Sequence, residues 1–255
     1  MAYPPWLHWL DECPSTNTWA LQSLARLQPG DVIYTPRQTA GRGREGRAWY
    51  APPGVLTASF VLHPVAAAHL PQLSLAAGLA VIHAVEDTVP LSPGTLGIKW
   101  PNDVVLNGRK LAGVLCEPSL PWVVVGVGLN RAVDWHTVLA TATPNLSLAQ
   151  VASLLDVTPH PPDVLTVLST LRRYLLEAHS LLQQGGWAKL LPQLRQRDVL
   201  NGCPLVIHMG QQTMAGVGAG LDDQGRLLLQ GADGTIHALT AGHMVRWEPS
   251  RFVGD

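Results

Sequence analysis

Residues 97–117 read GIKWPNDVVLNGRKLAGVLCE. Strand-like runs here bracket two breaks of different kinds. The first run ends at Lys99, and Pro101 keeps the strand from simply continuing, because proline has no N–H to give to a ladder. The second break is Asn107-Gly108, between VVL and KLAGVLCE. That dipeptide is the strongest short hairpin signal, since both residues tolerate a positive φ. The stretch therefore predicts an antiparallel hairpin with Lys110 opening its return strand and Gly113 three residues further on. Asn102 and Asp103 fall in the first break, where polar side chains can project into a pocket. Lys99 and Lys110 lie within twelve residues of each other, although the chain has only three lysines against 14 arginines.

Moving outward, WVVVGVGLN at 122–130 is apolar on both faces and predicts a central strand. Gly126 and Gly128 are two apart, so they share a face. Glycines inside a strand suit a ligand lying close to the backbone, or equally a tight packing contact. Asn130 ends the strand, placed to read a heterocycle edge. VLTASFVL at 55–62 predicts a strand with Leu56, Ala58, Phe60 and Leu62 on one face. Shorter strands are expected at 6–11 and 31–35. A helix to about Leu27 is expected behind an N-cap at Ser15 or Thr16, and a buried helix from Pro71 to about Thr88. Residues 148–199 are expected to be helical, with Leu165, Leu168, Leu171, Leu175 and Leu176 at core spacing. After Asn201-Gly202 the texture changes to five short strands at 204–209, 213–220, 226–230, 235–239 and 243–247. Tight turns separate them, which suggests a small β-barrel and a domain boundary near residue 200.

Composition narrows the function classes. The chain has 255 residues, 47% of them apolar and 14% charged, which is a globular composition. Its formal net charge is −1. A protein that lives on nucleic acid normally carries a positive excess, because phosphate neutralisation supplies most of its affinity. Cys13, Cys116 and Cys203 are odd in number and far apart, indicating neither a disulfide framework nor a zinc site. The start of the chain is no signal peptide, and no apolar stretch reads as membrane-spanning. A soluble, cytoplasmic protein is expected.

One further stretch demands chemistry: QTAGRGREGRAW at 38–49. Its glycines let backbone N–H groups approach an anion, and its arginines can fork onto carboxylate or phosphate. It is neither a Walker loop nor a dinucleotide fingerprint. On its own it reads as an anion site or as an idle mobile loop.

Taken together, PSTN at 14–17, QTAGRGREGRAW at 38–49, KWPND at 99–103, RKLAGVLCE at 109–117 and VGVGLN at 125–130 resemble the motifs of biotin–protein ligases, in that family's order and spacing. The likeness is strong over about 8–130 and architectural beyond. It implies an α+β fold of the class II synthetase-like kind, residues 1–199, with a mixed sheet flanked by helices. A C-terminal SH3-like barrel, 200–255, follows. It also implies a two-step reaction, in which biotin and Mg-ATP give biotinyl-5′-AMP and the acyl group then passes to a lysine of a biotin carboxyl carrier domain of a carboxylase. By the resemblance, Ser15, Thr16 and Gln38 hold the ureido head, with Asn17 beside them. Arg42, Gly43 and Arg44 close over biotin and the adenylate. Lys110 sits at the biotin carboxylate and α-phosphate, Trp49 forms an aromatic wall, and Gly113, Gly126 and Gly128 floor the pocket. Lys99, Asn102 and Asn130 fall to the nucleotide side. Lys110, Arg42 and Mg²⁺ would offset the charge of two joined anions, and Asp103 is the candidate to steer or accept the acceptor lysine's proton. The protein itself is expected to supply no metal ligand.

Glu45 departs from the family pattern, standing where many members carry Arg or an apolar residue. The first strand follows so soon after Met1 that no DNA-binding helix-turn-helix is expected; no membrane association is expected either, and a homodimer is compatible. The nearest rival is a lipoate or octanoate ligase or transferase of the same fold, in which Cys116 would acquire interest as a nucleophile. A nucleic-acid-binding module built on the arginine loop and the barrel is the rival from another class.

Overall fold

The computed structural model describes residues 3–141 and 146–247. Seven strands form one mixed sheet: β1 (Leu7–Trp9), β2 (Val32–Thr35), β3 (Val55–Leu62), β4 (Leu96–Lys99), β5 (Asp103–Leu106), β6 (Arg109–Ser119) and β7 (Trp122–Asn130), in the order β1-β2-β3-β7-β6-β5-β4. β1 and β2 run parallel and every other neighbouring pair is antiparallel. β7 lies at the centre, as its two apolar faces predict. The turn between β5 and β6 has Asn107 at φ 47° and Gly108 at φ 76°, the backbone that Asn-Gly favours.

Each face of the sheet buries different residues. Leu56, Ala58, Phe60 and Leu62 of β3 join Val123, Val125, Val127 and Leu129 of β7 in the main core. That core packs against α2 (Leu70–Thr88), α4 (Val164–Gln183) and α5 (Trp187–Arg197). On the opposite face, Ile33, Val61 and Val124 bury Ala20 of α1 (Thr16–Ser23). Ser15 is the N-cap of α1, accepting from Thr18 N. Residues 67–88, α2 with its preceding turn, are long and apolar enough to cross a membrane by length and composition, contrary to the sequence reading. Two-thirds of that apolar window is buried inside the fold, between sheet and helices, which accounts for its hydrophobicity.

The stretch from 148 corrects the sequence reading. Helix begins only at Val164, capped by Asp163. Before it, Val151 forms a parallel bridge with Lys110, and Leu154–Asp156 make a single 3₁₀ turn behind a Ser153 capping box. A short helix not read from the sequence, α3 (Trp135–Thr141), packs Trp135, Val138 and Leu139 on Val55, Val133 and Val151. The five C-terminal strands appear as expected: β8 (Pro204–Met209), β9 (Gln212–Leu221), β10 (Leu227–Gln230), β11 (Ile236–Leu239) and β12 (His243–Trp247). They form an antiparallel sheet in the order β11-β10-β9-β8-β12, with register shifts in the β9–β10 and β8–β12 pairs. This is the SH3-like module, and residues 248–255 at its end lie outside the described residues.

Candidate active site

The site forms on the α1 face of the sheet, where small residues line up across strands. One ladder row runs Thr35, Thr57, Gly128, Gly113, Asp103, Lys99; the next holds Ile33, Ser59, Gly126 and Leu115. Gly128 and Gly113 are thus direct neighbours, and they leave a flat trough between α1 and the β5–β6 hairpin.

Trp49 lies in that trough. A methyl group on Gly128 would overlap its indole ring, and one on Gly113 would come within 3.1 Å of it. Gly126 does the same service for the Asn17 carboxamide. The flat group over these glycines is therefore the protein's own tryptophan, with its indole N–H buried and unpartnered.

Lys110 reaches the trough through a bulge. Val104 pairs with Ala112 but Val105 pairs with Lys110, so Leu111 is an extra residue. The bulge reverses the alternation of side chains and turns Lys110 to the face of Gly113. Its ammonium lies 2.7 Å from Asp103 Oδ1 and 5.3 Å from the Trp49 ring centre. The Lys110 backbone is held by Gln150 O and Ala152 N, which belong to the extended segment around Val151.

The polar end is built at the start of α1. Thr16 N donates to Gln38 Oε1 at 2.9 Å. The Ser59 hydroxyl lies 2.7 Å from Thr16 Oγ1 and 2.5 Å from Asn17 Oδ1. The glycine–arginine loop returns over the trough as a small hairpin: Trp49 N donates to Gly41 O, Gly43 N donates to Arg47 O, and Arg42 bridges to Ala48. Arg44 donates to Asn102 Oδ1 at 3.3 Å, and Asn102 in turn donates to Val114 O at 2.7 Å. Burial pulls the Arg44 guanidinium below its usual pKa, against the opposing pull of Glu45. Glu45 sits at the loop tip with φ 57°, a left-handed backbone that L residues adopt at a cost.

The cavity, about 680 Å³ including its open mouth, is lined by both ends of this machinery. It brings together Ser15, Thr16, Asn17, Gln38, Arg42, Gly43, Arg44, Trp49, Asn102, Asp103, Lys110, Gly113, Gly126 and Gly128. Two expected residues stand outside its wall. Asn130 is buried, and its amide donates to Lys110 O and Ala152 O, bracing Lys110 from behind. Lys99 ends its strand beside Asp103, but its ammonium lies 5.0 Å over the Trp247 ring, and burial lowers its pKa. Arg42 lines the cavity but is bidentate to Glu117, at 2.6 and 3.1 Å. Glu117 and Ser59 were not among the predicted residues. Their alternation with Gly113 and Thr57 along β6 and β3 was the available signal. Cys116 points the other way, packed on the main core, and burial pushes its thiol up to about 12. On the core face and absent from the cavity lining, this thiol is not placed to act as an acyl-transfer nucleophile.

Comparison with known proteins places the sequence and the fold in a family. Residues 9–130 match the biotin/lipoate A/B protein ligase family, and 206–247 match the biotin protein ligase C-terminal domain. A biotin–[acetyl-CoA-carboxylase] ligase of Mycobacterium tuberculosis is 35% identical over 92% of this chain and 88% of its own. The chain belongs to the biotin–protein ligase family. A Paracoccus denitrificans ligase of the same name is 34% identical over 86% of this chain and 92% of its own. Among solved structures, the biotin protein ligase of Aquifex aeolicus in complex with biotin and ATP superposes with a TM-score of 0.82, at 27% identity, over 96% of this chain and 99% of that one. The family match spans the sheet and trough, and the second match spans most of the five-stranded module.

Proposed function

We propose that this chain is an ATP-dependent ligase that activates biotin as biotinyl-5′-AMP and transfers the acyl group to a lysine of a biotin carboxyl carrier domain. The observation that carries the reading is the cavity's two-ended lining. Ser15, Thr16, Asn17 and Gln38 offer neutral donors and acceptors at one end, while Lys110, Asp103 and Arg44 gather charge at the other, with Asn102 bonded to Arg44. A fatty-acyl channel has little use for the first set.

In the first step a biotin carboxylate oxygen attacks the α-phosphorus of ATP. A P–O bond forms, the bond to the β-phosphate breaks, and pyrophosphate leaves. Two anions must be brought together, so Lys110 exchanges Asp103 for the carboxylate and phosphate oxygens, and Arg44 covers the same charge from the loop. In the second step the neutral amine of the carrier lysine attacks the acyl carbon. A C–N bond forms, the C–O bond breaks and AMP leaves. Asp103, relieved of Lys110, is the group placed to take the proton.

Mg²⁺ enters as part of its ATP complex. Among the described residues no cluster of three acids, histidines or cysteines is built to hold a metal, and Asp103, the carboxylate in the cavity lining, already faces Lys110. This donor set fits an ion carried by the triphosphate.

The acceptor is a carrier domain of the acetyl-CoA carboxylase kind. DNA is not among the proposed partners, in keeping with the net charge of −1. A second copy of the chain would find β1, an end strand of the sheet, as a pairing edge. Pyrophosphate exchange tests the activity: biotin with Mg-ATP should support exchange, and octanoate or lipoate should not. Exchange driven by octanoate or lipoate but not by biotin would overturn the assignment.

A further inference from the structure

Gln38 and Arg42, four residues apart at the root of the glycine–arginine loop, are joined to each other through the floor of the site. Gln38 Oε1 accepts from Thr16 N, the Thr16 hydroxyl contacts Ser59, Ser59 contacts Asn17 Oδ1, Asn17 Nδ2 donates to Glu117 Oε2 at 2.9 Å, and Glu117 takes both terminal nitrogens of Arg42. Ser59, Thr16 and Asn17 are at most 3% exposed. Arg42 Nη1 also lies 3.3 Å from Thr18 Oγ1, and Ala40 N and Thr39 N donate to Pro14 O and Cys13 O. Residues 38–42 are thereby fastened to the start of α1 along their length. From Gly43 onward the loop's ties to the rest of the fold are different in kind: the 3.3 Å contact of Arg44 with Asn102, the Arg47–His243 contact, and Trp49 lying on Gly128.

We propose that Glu117 is a positioning residue that sets the hinge of this lid. Its carboxylate holds Arg42 against Asn17, so that 38–42 form a fixed rim around the polar end of the cavity and only 43–48 swing over a ligand. Arg42 then shapes the site instead of supplying charge to the reacting anions, and that task falls to Lys110 and Arg44. An isolated ion pair with a half-exposed arginine would be worth little. Glu117 differs because the same carboxylate oxygen that meets Arg42 also fixes a buried amide facing the cavity. Its removal leaves Asn17 Nδ2 with only the Leu115 carbonyl.

This inference rests on the biotin-ligase reading for its ligand, so the test has one arm with biotin and one without. In Glu117→Gln the KM for biotin should rise about tenfold, the size of one charge-assisted hydrogen bond, with kcat and the KM for ATP changed less than about twofold. In an Arg42→Met background the same substitution should add only the smaller effect of Asn17, about threefold or less. Without any ligand, trypsin should cut after Arg42 about tenfold faster in Glu117→Gln than in the parent, while cutting after Arg47 stays the same. Glu117→Asp, which keeps the charge, should recover part of both effects. Unchanged biotin KM in Glu117→Gln, a full tenfold effect in the Arg42→Met background, or equal cutting after Arg42 would each overturn the proposal. If the parent enzyme lacks biotin-dependent exchange, the functional reading fails, and the ligand-free proteolysis still decides the hinge.

Discussion

Lys110 owes its place in the cavity to one extra residue in β6. Without the bulge at Leu111 its side chain would point into the main core, where a charge is costly. With it, the ammonium stands between Asp103 and Trp49 and is the cation nearest the two glycines of the floor. Lys110→Ala should therefore lower biotin-dependent pyrophosphate exchange by about 10²–10³-fold, the usual loss for one preorganised charge-stabilising donor. The fold should survive, because the residue is partly exposed and its backbone bonds to Gln150 and Ala152 do not involve the side chain. Exchange assays beside a thermal melt check both parts, and near-normal exchange would remove Lys110 from the chemistry. The scarcity of lysine marked this residue in the sequence; the bulge that aims it left no local signal. Asn130 and Lys99, read from the sequence as residues of the site, end strands beside the cavity but stand outside its lining. What each side chain meets, the 150–152 segment and Trp247, comes from distant parts of the chain that no local pattern announces.

At the scale of elements, the strands that declared themselves by alternation or by turn chemistry are where they were expected. β3 and the Asn107-Gly108 hairpin are examples, as are the five C-terminal strands. The segment 148–163 departs from helix for two reasons: Pro159, Pro161 and Pro162 break any helix ahead of Val164, a local signal present in the sequence, and Val151 is claimed by Lys110 in a parallel bridge, a tertiary pairing. α3 is only seven residues long, and the face it packs on Val55 and Val133, made of Trp135, Val138 and Leu139, spans little more than one turn, too short to stand out as a periodic pattern. The glycines of β7 were legible as a close approach, but not what approaches: Trp49 over Gly128 and Asn17 over Gly126. Gly128→Ala makes this testable. Its backbone is ordinary strand, so alanine suits the ladder, but its methyl would overlap the Trp49 indole, and the melting temperature should fall by a few degrees. The methyl would displace the indole from the trough, and biotin-dependent exchange should fall by at least about tenfold. Unchanged exchange would show that Trp49 is no wall of the site.

For the molecule as a whole, the change of architecture near residue 200 is not a break in packing. Leu205, Ile207, Leu221, Leu227 and Leu229 belong to the same buried cluster as Phe60, Leu73 and Leu168. Polar ties cross the same line: Trp187 Nε1 donates to Asp223 O, Arg195 Nε donates to Leu221 O, and Arg47 meets His243 Nδ1 at 2.8 Å. We propose that the catalytic region to about residue 199 and the module after it unfold together. Three histidines then set the acid side of that transition. Burial lowers the pKa of His83, of His179, which donates to His63 O, and of His243, where the Arg47 charge lowers it further. Below about pH 6.5 the unfolded chain binds protons at these positions that the folded chain refuses. Stability is therefore complete above that pH and falls as pH drops through the interval between the unfolded and folded values. At His243 a proton on Nδ1 also removes the acceptor that ties the loop to the module. Asp163 and Asp222, held below the usual carboxylate range by hydrogen bonds, add a separate loss only below about pH 4. Calorimetry should show one transition whose midpoint declines from pH 7.5 to pH 5. His179→Gln, which can keep the bond to His63 O without titrating, should flatten part of that decline. A midpoint constant over the interval would mean that burial of these histidines does not couple to folding, and two separated transitions would mean that the shared core does not bind the two regions into one unit.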